Sequence, residues 1–165
     1  MCKHQVVEEM ADDNQYNGDS LPSPKTVMTA VLGGDIETLE KYEEYAMGRK
    51  YLMAYGASAG QIEVVKWFKK RGVNNYDVAM EESSFGGYIE IVKLCREWGS
   101  RNFSYSMGRA AAGNHIDLVE LFIEWDTENW IYAEKAAAKG NHSEILKLLH
   151  SKGVKRFRER NDYSC

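Results

Sequence analysis

A pattern recurs every 27 residues along most of this 165-residue chain. Its marker is an acid: Glu63, Glu90, Asp117 and Glu144 stand at successive intervals of 27. Each lies in nearly the same phrase, AGQIEVVKWFKKRG, GGYIEIVKLCREWG, GNHIDLVELFIEWD and GNHSEILKLLHSKG. A fainter copy, GGDIETLEKYEEYAMG, puts Glu37 at an interval of 26 from Glu63. A fixed period of this size marks a stacked array, in which each short unit covers the apolar face of the next. Arrays of this kind usually present surfaces to partners, so the same feature points toward binding and away from catalysis.

The unit around Glu90 shows how each repeat is built. Residues 76–85, YDVAMEESSF, predict a first helix, and Gly86-Gly87 ends it because glycine readily takes the positive φ of a helix terminus. Residues 89–98, IEIVKLCREW, predict a second helix, with Ile91, Val92, Leu94, Cys95 and Trp98 at helical spacing. The acid in its first turn complements the helix dipole. The inter-helix glycine returns at Gly113 and Gly140, with Ala59 and Gly60 in the earlier unit. Second-helix core columns read Val64, Ile91, Leu118, Ile145 and Val65, Val92, Val119, Leu146. Small residues line the first helices: Gly56, Ser83, Ala110, Ala137 and Ala57, Ser84, Ala111, Ala138. They predict close helix approach. The expected fold is therefore all-α, an α-solenoid of about five stacked antiparallel helix pairs, at about 24–47, 49–72, 76–99, 102–126 and 129–153. In the last unit Ser143 replaces the Ile62, Ile89, Ile116 column and Glu134 replaces Met53, Met80, Met107, as a polar cap would.

Flanking segments differ in charge. Residues 1–23 hold one Lys against Glu8, Glu9, Asp12, Asp13 and Asp19, and read as a flexible acidic tail. Residues 154–165 read as a basic tail; from Lys152 onward five bases oppose Glu159 and Asp162. The formal net charge is −4, which argues against a general nucleic-acid binder. No apolar run approaches the ~18 residues of a membrane span. The acidic, polar N-terminus resembles neither a signal peptide nor a transit peptide. Three scattered cysteines, Cys2, Cys95 and Cys165, form no disulfide framework and indicate a reducing, intracellular, cytoplasmic setting. The triplets Asn102-Phe103-Ser104 and Asn141-His142-Ser143 then read as chance matches to a glycosylation signal.

The chemistry-bearing residues fit structural roles. His115 and His142 occupy one column and read as loop-tying histidines, not metal ligands. Cys2 and His4 lack a second pair for zinc. Cys95 shares a core column with Phe68, Phe122 and Leu149 and reads as a small buried hydrophobe. Tyr76, Phe103 and Trp130 open successive first helices and read as packing aromatics, as do Trp98 and Trp125. No phosphate loop, nucleophile elbow or paired catalytic motif occurs, so no catalytic residue, metal, cofactor or small-molecule substrate is expected.

These columns resemble the ankyrin repeat, whose second half commonly reads A-A-x-x-G-H-x-E-I-V-K-L-L-x-x-x-G. Residues 110–119, AAAGNHIDLV, and 137–146, AAKGNHSEIL, carry the likeness most closely, and it spans about 49–153. Two departures mark a variant. The Thr-Pro-Leu-His start is absent, Val78-Ala79-Met80-Glu81 and Tyr105-Ser106-Met107-Gly108 standing there, and the period is 27 where ankyrin repeats have about 33. Ser100-Arg101-Asn102 is too short for a projecting β-hairpin finger. The repeats are similar to the short ankyrin-like repeats abundant in large DNA viruses of amoebae. That likeness implies a viral protein acting on a host factor in the host cytoplasm, or carried in the virion.

The expected function is a non-enzymatic protein-interaction module. In ankyrin-type arrays the concave side is lined by first helices and the loops before them. One first-helix column, Tyr55, Glu82, Arg109 and Ala136, varies while its core neighbours stay nearly constant, and Arg101 and Asn102 lie in a preceding loop. Tyr55, Glu82, Arg101, Asn102 and Arg109 are therefore the candidate partner-binding residues. The alternatives are a structural or virion-associated self-assembling protein, and nucleic-acid association through the basic tail.

Overall fold

The computed structural model describes residues 22–49, 51–125, 127 and 129–152. Most of the two expected tails, with Cys2, His4 and Cys165, lies outside the described residues. At the start of the described residues Pro22 is buried, and Ser23 caps the first helix by accepting from Thr26 N–H at 3.2 Å. Proline at the next position suits the first turn, where its missing N–H costs nothing.

The described residues contain helices and no strand, and fall into two compact units, the first ending at Asn75 and the second beginning at Tyr76. That division coincides with a repeat boundary. In the first unit the helices are α1 Pro24–Gly33, α2 Ile36–Lys41, α3 Glu43–Met47, α4 Leu52–Ser58 and α5 Ile62–Lys70. In the second they are α6 Tyr76–Gly86, α7 Ile89–Glu97, α8 Phe103–Ala112, α9 Ile116–Glu124, α10 Ile131–Gly140 and α11 Ser143–Ser151.

The faintest repeat departs from the expected helix pair. Its second helix is split at Tyr42, whose backbone (φ −119°, ψ 35°) is not helical, so α2 and α3 replace one element. Arg71 spans the split, 2.9 Å from Glu43 and 4.0 Å from Glu40.

The core of the first unit is built from Val27, Val31, Leu39, Leu52, Met53, Val64, Val65 and Phe68, all buried. α4 sits against α5 at Gly56, where an added Cβ would lie 2.8 Å from Val64 Cγ1. In the second unit Met80, Ile91, Val92, Met107, Leu118, Val119, Phe122, Ile145 and Leu149 are buried. First helices pack on first helices, α6 on α8 and α8 on α10, while α7, α9 and α11 each pack against the first helix of their own pair. The small column makes this approach feasible: Ser83, Ala110 and Ala137 are buried, and a Cβ on Gly108 would lie 2.7 Å from Tyr132 Cβ.

Aromatic packing repeats with the sequence. Tyr76 and Trp98 have ring centroids 5.6 Å apart at 60°, and Phe103 and Trp125, one period later, 5.5 Å apart at 58°. Turn contacts repeat as well. Gln61 Nε2 donates to Leu32 O at 3.0 Å, and His115, at the same repeat position, places Nε2 3.0 Å from Phe85 O. Each ties a turn to the previous helix pair. The positive φ of Asn114 and Asn141 (63° and 57°) suits asparagine, which tolerates the left-handed region better than most residues.

Candidate functional site: the exposed stripe of the first helices

The first helices carry two columns separated by one helical turn. Residues i and i+4 share a helix face. Val78 therefore lies beside Glu82 on α6, Tyr105 beside Arg109 on α8, and Tyr132 beside Ala136 on α10. The same pairing in the first unit is Tyr51 with Tyr55.

Glu82 and Arg109, both proposed from sequence as binding residues, are brought together. Arg109 Nη2 lies 2.9 Å from each carboxylate oxygen of Glu82. Both side chains are about two-thirds covered, at 29% and 33% exposure. The Arg109 guanidinium also lies 4.4 Å from the centre of the Phe85 ring. These two residues are thus engaged with each other along the stripe.

Asn102 joins the same neighbourhood, its Nδ2 donating to Glu81 Oε1 at 2.5 Å. Burial pushes the Glu81 carboxyl above its usual range, and neighbouring Glu82 adds to this against the opposing Asn102 hydrogen bond. Arg101 faces elsewhere. Its Nη1 donates to Arg96 O at 3.2 Å and to Ser100 O at 2.7 Å, closing the C-terminal end of α7. Tyr55 belongs to the first unit, half-buried, and its carbonyl accepts from Ser58 Oγ at 2.9 Å.

Asp77 sets the loop that carries Arg101 and Asn102. Its Oδ1 accepts from Ser100 Oγ at 2.6 Å, from Arg101 N–H at 3.1 Å and from Asn102 N–H at 3.4 Å. Burial alone would raise its pKa, but these hydrogen bonds and the Arg101 charge together hold it below the ordinary value. Sequence reasoning passed over Asp77. The signal was available: its column holds Ser104 and Ile131 in the next two repeats, so the acid is peculiar to one unit.

The larger omission is the tyrosine column. Tyr51, Tyr105 and Tyr132 are 63%, 44% and 48% exposed, and Tyr105 packs on Tyr132 edge to face at 5.6 Å. They occupy one repeat position, with Val78 at that position in the repeat between Tyr51 and Tyr105, so the 27-residue period itself could have revealed them.

Other chemistry-bearing groups serve the fold. The Cys95 thiol is buried and pushed up to about 12, chiefly by burial with Asp77 adding to it, so it is a thiol and not a nucleophilic thiolate at neutral pH. Among the described residues no group of His, Cys, Asp and Glu could hold a metal ion. None of their helices is long and apolar enough to cross a membrane.

No protein-family model matches this chain, and no curated protein matches it in sequence.

Proposed function

We propose that this protein is a non-enzymatic interaction module, a short-repeat, fingerless relative of the ankyrin α-solenoids, that grips a protein partner with the exposed stripe of its first helices. The observation that carries this reading is the tyrosine column, with Tyr105 and Tyr132 packed edge to face yet each about half exposed. A buried role would hide such rings, and a merely soluble surface has no need of them at a repeated position. Tyrosine is also among the residues that most often dominate interface energetics, offering large contact area with a polar tip. Beside it in the second unit the stripe varies from Glu82 through Arg109 to Ala136, a distinctive chemical pattern on a repeated framework. Asn102 and its loop form the polar edge.

Several residue types that could do chemistry are occupied structurally, His115 on a turn, Asp77 on a loop and Cys95 in the core, which supports binding over catalysis. The repeat phrases favour a viral protein in the host cytoplasm with a host protein as partner. Affinity purification of the full chain from its native cell tests the reading. A partner should be recovered by the wild type and by Glu120→Ala, and lost with the double change Tyr105→Ala and Tyr132→Ala while the far-ultraviolet helical signal persists. Retention by the double variant together with loss by Glu120→Ala would overturn it.

A further inference from the structure

A second surface of the second unit is formed by α7, the loop after it, the start of α8 and the end of α9. Lys93, Arg96 and Arg101 surround a groove of about 600 Å³ with Phe103 and Trp125, and Glu97 is the acid among its lining residues. The Arg96 guanidinium lies 4.2 Å from the centre of the Trp125 ring and 5.9 Å from that of Phe103. Stacking holds the guanidinium plane in place while leaving its N–H edge available, an arrangement suited to a planar carboxylate. Arg96 is exposed, and among the described residues no carboxylate lies within ion-pair distance of it.

The first unit contains the same chemistry in completed form. There the Arg71 guanidinium lies 3.8 Å from the centre of the Trp67 ring, and Glu43 supplies a carboxylate at 2.9 Å. Lys66 on the adjoining surface is likewise matched, by Glu63 at 2.8 Å. The residues one repeat later are Lys93 and Glu90, and they form no such pair. One unit thus has an arginine stacked on tryptophan with its acid supplied internally. The other has the stacked arginine, flanked by two more cations, and among the described residues no acid pairs with it.

We propose that this groove binds an acidic segment of a protein partner, a carboxylate of that segment taking on Arg96 the place that Glu43 takes on Arg71. Lys93 and Arg101 add attraction for neighbouring acids, and Trp125 with Phe103 supplies an apolar wall. A charge-assisted contact of this kind is strong for its size and weakens with salt. The proposal deepens the interaction reading by naming a partner chemistry, but it rests on Arg96, Lys93 and Trp125, which lie outside the stripe, and stands even if the first-helix stripe binds nothing.

Fluorescence anisotropy on the full chain tests it. The probes are a fluorescein-labelled Asp-Glu peptide, its Asn-Gln counterpart, and an oligothymidylate matched in charge. The acidic peptide should bind saturably, its amide counterpart should not, and Arg96→Gln should weaken binding by about tenfold. Titration should also move the Trp125 indole N–H resonance. Tyr105→Ala should leave this binding unchanged, which separates the groove from the stripe. Should Arg96→Gln fail to fold, Lys93→Gln and the Trp125 resonance carry the same test. Absence of saturable binding, equal binding of the amide peptide, or indifference to the groove substitutions would overturn the proposal. Tighter binding of the oligothymidylate would do so as well, assigning the groove to nucleic acid.

Discussion

Arg109 reaches back one repeat to Glu82 and holds both of its carboxylate oxygens at 2.9 Å. The pair joins α8 to α6 along the stripe that also carries the exposed tyrosines. Both contacts run through Nη2 alone, so it is partial burial that places the pair above the usual surface ion pair, and solvent still screens it. A double-mutant cycle with Arg109→Ala and Glu82→Ala should give a coupling of roughly 1 kcal/mol, read from chemical denaturation. A coupling near zero would mean the pair is a bystander to the packing of these two helices.

Acid should loosen the loop at residues 100–102. Asp77 titrates below its ordinary range in the folded chain. A carboxyl depressed by folding stabilises above its unfolded pKa and loses that contribution as pH falls through the lower, folded value. Asp77→Asn should therefore be less stable than the wild type at pH 7, with the difference shrinking below about pH 4. Melting curves across that range check the sign.

Glu81 should behave oppositely. Its carboxyl titrates above the usual range, with burial the leading cause. The folded state then holds its proton more tightly than the unfolded chain, so charging this group costs stability as pH rises through the folded pKa. Glu81→Gln keeps an oxygen for Asn102 and should match or exceed wild-type stability at pH 7, losing that advantage in acid. A variant clearly weaker at neutral pH would show that the Asn102 hydrogen bond outweighs burial.

The repeat made much of this fold readable beforehand. Val64, Ile91, Leu118 and Ile145 share a column and are all buried, because a period of 27 returns each residue to the same packing position. The split at Tyr42 was not readable: the local phrase LEKYEEY is compatible with continuous helix, and the break appears where Arg71, distant in sequence, spans Glu40 and Glu43. For the candidate site, the variable column was visible but its internal pairing was not. Opposite charges in adjacent repeats at Glu82 and Arg109 were read as independent variation, whereas adjacent first helices bring equivalent positions within bonding distance. The exposed tyrosines are not distinguishable by residue type alone: Phe103 is half-buried against Phe122 and Trp125, whereas Tyr105, two residues on, is exposed.

The buried and exposed faces of α7 should respond very differently. Ile91 is 2% exposed and Lys93 is exposed. Ile91→Asp would bury a charge without a partner and should cost roughly 3 kcal/mol or more, whereas Lys93→Ala should cost under about 0.5 kcal/mol. Similar losses in urea titrations would contradict the assigned faces.

Site-specific photocrosslinking in the native cell tests the central claim most directly. A photoreactive phenylalanine analogue is placed in turn at Tyr105 and Tyr132 on the first-helix stripe, at Lys93 in the groove, and at Glu120 on the outer side of α9. The account predicts discrete protein adducts from Tyr105 and Tyr132 and none from Glu120, with any adducts from Lys93 belonging to the separate groove. Adducts confined to Glu120, or nucleic acid captured from the tyrosine positions, would contradict it.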